Sequence, residues 1–169
     1  KEDMWLALCG CIGDGYLPDF KKEAEEIYPE LWKPVKSAFE GLYDTELGRI
    51  TQILNFSLKD RTSNVVQMLK FMYKAGAQDV IEEERKTGGV LARFKQIYEK
   101  YIKLVKKAED FVTEGKVLYF QYGGDLSISA DIANEIFYNH PDKMVIVSYL
   151  RGTKANISIR GKYSTFTVI

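Results

Sequence analysis

The sequence predicts an α/β fold in which a helical part is followed by a small domain with a central sheet. Apolar residues repeat at helical spacing in most of the chain up to residue 112. From Gly115 onward the pattern changes to strand, helix, strand and strand. A hydrophobic share of 46% and a charged share of 28% are typical of a folded chain. The change from helical to strand spacing near Gly115 is therefore the observation that predicts the fold class.

Composition and charge exclude several classes of protein. The 169 residues include 24 Lys+Arg and 24 Asp+Glu, and this balance excludes a uniformly basic nucleic-acid coat protein. No apolar stretch approaches the roughly 20 residues of a membrane helix, and the polar start Lys1-Glu2-Asp3 is unlike a signal peptide. Cys9 and Cys11 lack the second pair of a zinc site. We expect a cytoplasmic protein with no membrane partner and with both cysteines in a core.

The first elements are short. Met4 to Ile12 is apolar or small throughout and predicts a buried helix or strand. Phe20 to Tyr28 has helical spacing and stops at Pro29. Trp32 to Tyr43 contains a proline and a glycine, which predict irregular structure.

The middle of the chain predicts a helix pair and a long helix. Glu46 to Leu58 and Thr62 to Tyr73 carry apolar stripes, and Gly76 is placed where a left-handed residue would end the second helix. The segment Gln78 to Lys86 is polar and acidic. Val90 to Val112 is apolar on one side and rich in Lys and Glu on the other, which favours a connector between two domains.

The last part predicts a sheet. Lys116 to Tyr122 is rich in Val, Tyr and Phe and predicts a strand. An amphipathic helix around Ile132 to Phe137 follows. Met144 to Leu150 predicts a buried strand, and Ala155 to Arg160 alternates as its hairpin partner. Residues Gly115 to Ile169 are therefore expected to form a compact α/β unit.

Two titratable residues in loops, Asp14 and His140, are candidates for a chemical role. Asp14, between two glycines after an apolar segment, places a carboxylate where oxygen ligands for Mg²⁺ or Mn²⁺ commonly project. The alternative is a turn residue that bonds its own backbone. His140 is the only histidine, so a multi-histidine metal site within this chain is excluded. We expect His140 to be a surface or capping residue.

The sequence offers three candidate anion-binding features. Ser158 and Arg160 lie two apart on a strand and share a face, where a hydroxyl beside a guanidinium can bind phosphate. A solvated edge face is the alternative. Gly123-Gly124 leads into a helix whose N-terminus can hold an anion, or it is an ordinary turn. The lysines from Lys95 to Lys107 alternate with tyrosines and either contact a nucleic-acid backbone or form the wet side of a helix.

Several stretches resemble one enzyme superfamily. Ala7 to Gly15 resembles the fourth motif of the DHH phosphoesterases, in which an apolar segment ends in a metal-binding aspartate. Leu126 to Glu135, His140 to Leu150 and Ile157 to Arg160 resemble the DHH-associated substrate-binding domain. Thr45 to Gly48 and Lys59 to Leu69 are most similar to archaeal RecJ-type single-strand exonucleases, some of which partner the GINS replication complex.

The resemblance implies a domain organisation and a site. Residues 1–113 would be the end of the DHH catalytic domain with a helical connector, and residues 114–169 an incomplete associated domain. Asp14 would be a ligand of a catalytic Mn²⁺ or Mg²⁺, one of two ions in the full-length enzyme. Ser158 and Arg160 would grip a phosphate of single-stranded DNA or RNA. The remaining implied substrate-binding residues, where backbone would approach the substrate closely, are Gly161, Gly123 and Gly124.

The family's amino-terminal aspartate motifs, its Asp-His-His triplet and its glycine-rich histidine motif are not in this sequence. The resemblance therefore implies a fragment, inactive by itself, of an exonuclease of DNA replication or repair. Three alternatives stay open: a phosphodiesterase of oligonucleotides or cyclic dinucleotides, a non-catalytic replication scaffold, and an accessory domain related to alanyl-tRNA synthetases.

Overall fold

The computed structural model describes residues 3–86 and 88–162. Within these residues it has eight helices and one three-stranded sheet, so the predicted α/β class is confirmed. The chain divides into two compact units, Lys1–Tyr98 and Glu99–Ile169. The elements in chain order are α1 (Met4–Gly13), α2 (Lys21–Ile27), α3 (Ala38–Asp44), α4 (Glu46–Ser57), α5 (Thr62–Met72), α6 (Ala77–Arg85), α7 (Ala92–Glu109), β1 (Val117–Gly123), α8 (Ser129–Asn139), β2 (Met144–Arg151) and β3 (Lys154–Arg160).

The division between the two units falls inside α7. The helix begins in the first unit and ends in the second, with Tyr98 and Glu99 on either side of the division. The sequence placed a domain boundary later, between residues 113 and 114. That boundary refers to the domains of a family, and it stays a prediction.

The core of the first unit forms where α1 packs against α3 and α4. Both α1 and α4 place apolar residues three or four apart on the inner side, as the hydrophobic spacing predicts. Phe56 of α4 also packs edge-on against Tyr98 of α7, with ring centroids 6.0 Å apart. The fully or almost fully buried side chains of α1 and α4 in this core are Trp5, Leu8, Ile12, Leu47, Ile50, Ile53 and Phe56.

Helices α3 and α4 approach each other closely at Gly48. A Cβ atom on Gly48 would lie 2.2 Å from the carbonyl oxygen of Gly41 and 2.3 Å from that of Leu42. Thr45 caps α4 at the same place, because its Oγ1 accepts the Gly48 N–H at 2.9 Å and donates to the Gly41 carbonyl at 2.6 Å. Only glycine fits this crossing without moving one helix.

The prediction of irregular structure from Trp32 to Tyr43 is confirmed up to Ser37 and is wrong beyond it, because α3 begins at Ala38. Ser37 starts the helix by accepting the Glu40 N–H at 3.1 Å, and the Glu40 carboxylate accepts the Lys36 N–H at 2.7 Å. These two hydrogen bonds cap the N-terminus of α3, and Pro34 lies upstream of the helix, where it does not prevent the helix from forming. Gly41 is tolerated in α3 because a Cβ there would lie 2.6 Å from the Trp32 ring.

The expected left-handed conformation of Gly76 is also wrong. Gly76 is extended, with φ −81° and ψ 174°, and it precedes α6 rather than ending α5. The Asp79 carboxylate accepts the Gly76 N–H at 2.8 Å and fixes the start of α6. The polar segment from Gln78 onward is therefore mostly helical, and its buried Glu83 accepts the Val90 N–H at 2.9 Å.

The second unit is built on a sheet in the order β1-β2-β3. β1 pairs with β2 in parallel, and β2 pairs with β3 antiparallel as the predicted hairpin. α8 connects the parallel strands and packs against β2 and β3. Residues 163–169 of the expected α/β unit lie outside the described residues. The face of the sheet that is buried carries Leu118, Phe120, Tyr122, Val145, Val147 and Tyr149, and α8 buries Ile132, Ala133 and Ile136.

Candidate functional site

Asp14 lies in the first unit, directly after α1. Its backbone N–H donates to the Gly10 carbonyl at 3.1 Å, and its side chain is exposed. Gly15 follows with φ +76°, and its N–H donates to the Ile12 carbonyl at 3.1 Å, an arrangement typical of a helix end. Gly15 therefore ends helix α1. A carboxylate at this end of a helix adds to the negative end of the dipole, which favours a nearby cation.

The described residues do not fit a metal centre by themselves. In residues 3–86 and 88–162, no three side chains of His, Cys, Asp or Glu come together as a group able to hold a metal ion. One exposed carboxylate supplies too few ligands for Mn²⁺ or Mg²⁺, which need near-octahedral oxygen coordination. The resemblance assigns the other ligands to motifs that this sequence does not contain. No hydrolytic step is therefore derived from Asp14.

Ser158 and Arg160 share one face of the sheet, as predicted. Ser158 pairs with Val147 and Arg160 pairs with Val145 across the β2–β3 ladder. Both valines are fully buried, so the Ser158–Arg160 pair lies on the face that α8 covers. β3 is the last strand of the described sheet, and both side chains are half-buried.

Residues of α8 hold both members of the pair. Asn134 accepts a hydrogen bond from Arg160 Nε at 2.6 Å. The Oγ atoms of Ser129 and Ser158 lie 3.0 Å apart in a hydrogen bond. Arg160 also donates from Nη1 to the Ile159 carbonyl at 2.8 Å. Two hydrogen bonds thus hold the Arg160 guanidinium. The Ser158 hydroxyl is held two residues along the strand, about 6–7 Å away.

The groups that hold Arg160 are all neutral. A guanidinium has five N–H donors, and two of them are used by Asn134 and the Ile159 carbonyl. Within the described part of the chain, Arg160 forms no ion pair with a carboxylate. Its positive charge is therefore positioned and is not neutralised by a described side chain. This is the electrostatic condition for binding an anion through the remaining donors.

The predicted glycines divide between two corners of the sheet. Gly161 follows Arg160, and a Cβ atom on it would lie 3.8 Å from Met144, at the same end as the Ser158–Arg160 pair. Gly123 pairs with Leu150, five residues along β2 from the valine that pairs with Arg160. Five residues of strand span about 16 Å, and β2 separates the two outer strands by about 10 Å. Gly123 and Gly124 therefore do not join the Ser158–Arg160 pair.

Gly123 and Gly124 line a separate cavity of about 220 Å³ in the second unit. Gly124 has φ +135°, a conformation that requires glycine, and its carbonyl accepts the Tyr149 hydroxyl at 2.9 Å. Lys100 faces this cavity but is paired with Asp125 at 2.9 Å. The lysine-rich face of α7 is thus partly engaged in internal ion pairing at this point.

No pattern in the sequence predicts the half-buried polar contact between α7 and α8. Glu135 of α8 accepts a hydrogen bond from the Tyr101 hydroxyl. Burial raises the pKa of Glu135, and the neighbouring charge of Glu109 adds to this. His140 is the C-cap of α8, as a capping role predicted, and its Nε2 lies 2.6 Å from Glu109 Oε2. Tertiary packing alone brings these residues together.

Comparisons of this chain with protein-family models, curated proteins and solved structures return no match. The assignment to the DHH phosphoesterases therefore stays a prediction from resemblance. Among the described residues, no helix is both long enough and apolar enough to span a membrane.

Proposed function

We propose that this chain is part of a phosphodiesterase that acts on single-stranded DNA or RNA from an end. In this proposal the second unit binds a phosphate of the strand through Arg160 and Ser158. The observation that supports it is the placement of Arg160 by neutral partners, with donors left over. The choice of nucleic acid as substrate comes from the resemblance.

The chemistry of the pair suits a phosphodiester. Its two non-bridging oxygens share one negative charge, and the planar fork of a guanidinium can donate to both. The hydroxyl of Ser158 can add a further donor to the same phosphate. Contacts to phosphate fix the register of a strand without selecting its sequence. A pair of this kind is therefore appropriate for an exonuclease that shortens strands of any sequence.

The hydrolytic chemistry belongs to the proposed parent enzyme. The resemblance gives Asp14 as one of several ligands that would hold Mn²⁺ or Mg²⁺ in that enzyme, and such ions would supply Lewis-acid chemistry for hydrolysis. Because the other ligands are not in this sequence, we expect the chain to bind single strands without cutting them. A partner complex of the GINS type and a role in replication or repair are proposed on the resemblance alone.

The test is binding of a fluorescein-labelled oligothymidylate to residues 1–169. Arg160→Ala should weaken binding by about 10-fold or more, as expected for hydrogen bonds to a charged group worth 1.5–3 kcal/mol. Arg151→Ala is the matched control, because Arg151 is an exposed arginine at the other end of the same sheet. Equal weakening by both variants would show non-specific attraction and contradict the proposal.

Asn134→Ala tests whether the position of Arg160 matters. This variant keeps the guanidinium but removes its 2.6 Å contact. Ordering a free arginine on binding costs about 0.5–1.5 kcal/mol, so affinity should fall by about 2- to 12-fold. The loss should disappear when Arg160→Ala is already present. Additive losses would mean that Asn134 acts independently of Arg160.

The same assay separates the alternative functions. Competition by a dinucleotide as strong as that by the longer strand would favour an enzyme of short or cyclic oligonucleotides. No binding of any oligonucleotide at low salt would refute the phosphate role and favour the scaffold.

A further inference from the structure

A row of exposed apolar side chains runs along α5 in the first unit. Val66, Leu69 and Tyr73 are 43%, 53% and 88% exposed. Tyr73 is the C-cap of α5 and has helical φ and ψ, so the three residues follow the i, i+3, i+7 spacing of one helix face. We call these three residues the α5 ridge. A surface helix ordinarily presents polar residues in this position.

The opposite side of α5 accounts for the core contact of this helix. Met68 is 3% exposed and is the one buried residue among those of α5. It lies two residues from Val66 and one from Leu69, so it points away from the α5 ridge. The α5 ridge is therefore separate from Met68, the one fully buried side chain of α5.

Two lysines border the α5 ridge on one side. Lys70 and Lys74 are four residues apart, and each follows a ridge residue directly in sequence. At 100° per residue they form a second row that runs parallel to the ridge. Both are exposed. From Arg61 to Gln78 the sequence has three basic residues and no acidic one. Lys74 also lines a cavity with Asp79, Glu82 and Glu83 of α6, so Lys70 is the bordering lysine without these acidic neighbours in that cavity.

We propose that the α5 ridge docks an acidic amphipathic helix of a partner protein. An apolar stripe on the partner would cover Val66, Leu69 and Tyr73, and a row of carboxylates beside that stripe would face Lys70 and Lys74. At many protein interfaces, apolar contacts supply most of the affinity and charged groups select the partner. The proposal is independent of the phosphate site, which lies in the second unit.

A single-stranded nucleic acid is the competing occupant, and the side chains favour the protein. Bases stack on aromatic rings, and the ridge has one such residue, Tyr73. Val66 and Leu69 offer aliphatic surface, which a partner helix buries and a nucleic acid does not use.

The test uses a labelled synthetic peptide of about 18 residues, long enough for five helical turns. It has leucines at helical spacing and is otherwise built of Ala and Glu, and fluorescence anisotropy reports its binding to residues 1–169. Because about half of the Leu69 side chain is exposed, Leu69→Ser should weaken binding by about 4- to 12-fold. The double variant Lys70→Glu, Lys74→Glu should weaken it by about 5- to 10-fold at low salt, and this effect should shrink as salt is added.

Controls are matched in chemistry. Leu6→Ser removes another exposed leucine, which is 44% exposed on α1. The double variant Lys22→Glu, Lys33→Glu makes the same change of charge outside α5. Neither control should change peptide affinity by more than about 2-fold, and circular dichroism should be the same for all variants.

Several results would overturn the proposal. One is the absence of peptide binding to the wild type, and another is binding that the α5 variants leave unchanged. Equal binding of a peptide with Lys in place of Glu would remove the charge argument. Oligothymidylate binding that depends on Lys70 and Lys74, without peptide binding, would assign α5 to nucleic acid. Self-association lost in Leu69→Ser would assign it to a second copy of this chain.

Discussion

The substitution Gly48→Ala tests the helix crossing on which the first unit is built. The added Cβ would lie 2.2 Å and 2.3 Å from two carbonyl oxygens of α3. An ordinary contact needs more than 3 Å, so α3 and α4 must separate by about 1 Å. Overpacking of this kind costs about 1–3 kcal/mol. The Thr45 cap bonds both helices at the same point, and its loss adds about 1 kcal/mol.

Alanine is more stable than glycine inside a helix by about 0.5–1 kcal/mol, so the expected net loss in the free energy of unfolding is about 2 kcal/mol, against a typical total of 5–15 kcal/mol. Urea unfolding followed by circular dichroism measures this loss, and the thermal midpoint should fall by about 4–8 °C. Gly10→Ala is the matched control, because nothing lies within 4 Å of its added Cβ. This variant should stabilise α1 by about 0.5–1 kcal/mol. A loss below about 1 kcal/mol for Gly48→Ala would refute the close crossing.

Three further predictions concern single buried groups. Lys143 Nζ donates to the carbonyls of Thr113 and Gly115 at 2.7 and 2.9 Å. Lys143→Met should therefore lower the free energy of unfolding by about 3 kcal/mol. No change in urea unfolding would contradict these two hydrogen bonds. Burial raises the pKa of Glu135 above 4.5, so the folded protein holds this proton more tightly than the unfolded chain. Stability should therefore fall as pH rises from 4.5 through the folded pKa, and Glu135→Gln should flatten this decline in unfolding curves measured across that range. Burial raises the pKa of the Cys9 thiol to about 11, so a thiol reagent at pH 8 should modify Cys9 only after unfolding. Modification of Cys9 in the native protein, detected by peptide mass spectrometry, would contradict its burial.

Local pattern was sufficient to predict the sheet and the long helix. β2 is a nearly continuous apolar run, and β3 alternates between apolar and polar residues. α7 repeats its apolar residues at helical spacing over 18 positions. Glycine and proline misled the prediction where tertiary contacts decide the outcome. Gly41 lies inside α3 because the Trp32 ring occupies the place of its side chain. That contact cannot be inferred from the residues beside Gly41. The capping pattern of Ser37 and Glu40 was a local signal that would have predicted the helix.

The candidate site was predictable only in part. The spacing of Ser158 and Arg160 places them on one face in any strand. The sequence could not indicate which face, because this depends on the pairing of β3 with β2 and on the position of α8. Asn134 was missed as a partner of Arg160 for the same reason, since 26 residues separate the two in sequence. Gly123 and Gly124 were grouped with the pair by resemblance, and the strand register places them at another corner.

The salt dependence of oligothymidylate binding tests the phosphate role of Arg160 most directly. The logarithm of the binding constant falls linearly with the logarithm of salt concentration, with a slope of about −0.7 for each phosphate neutralised on a single strand. If Arg160 neutralises one phosphate, Arg160→Ala should make the slope shallower by about 0.7, while Arg151→Ala should leave it unchanged. An identical slope for wild type and Arg160→Ala would contradict the account, because Arg160 would then make no contact with phosphate.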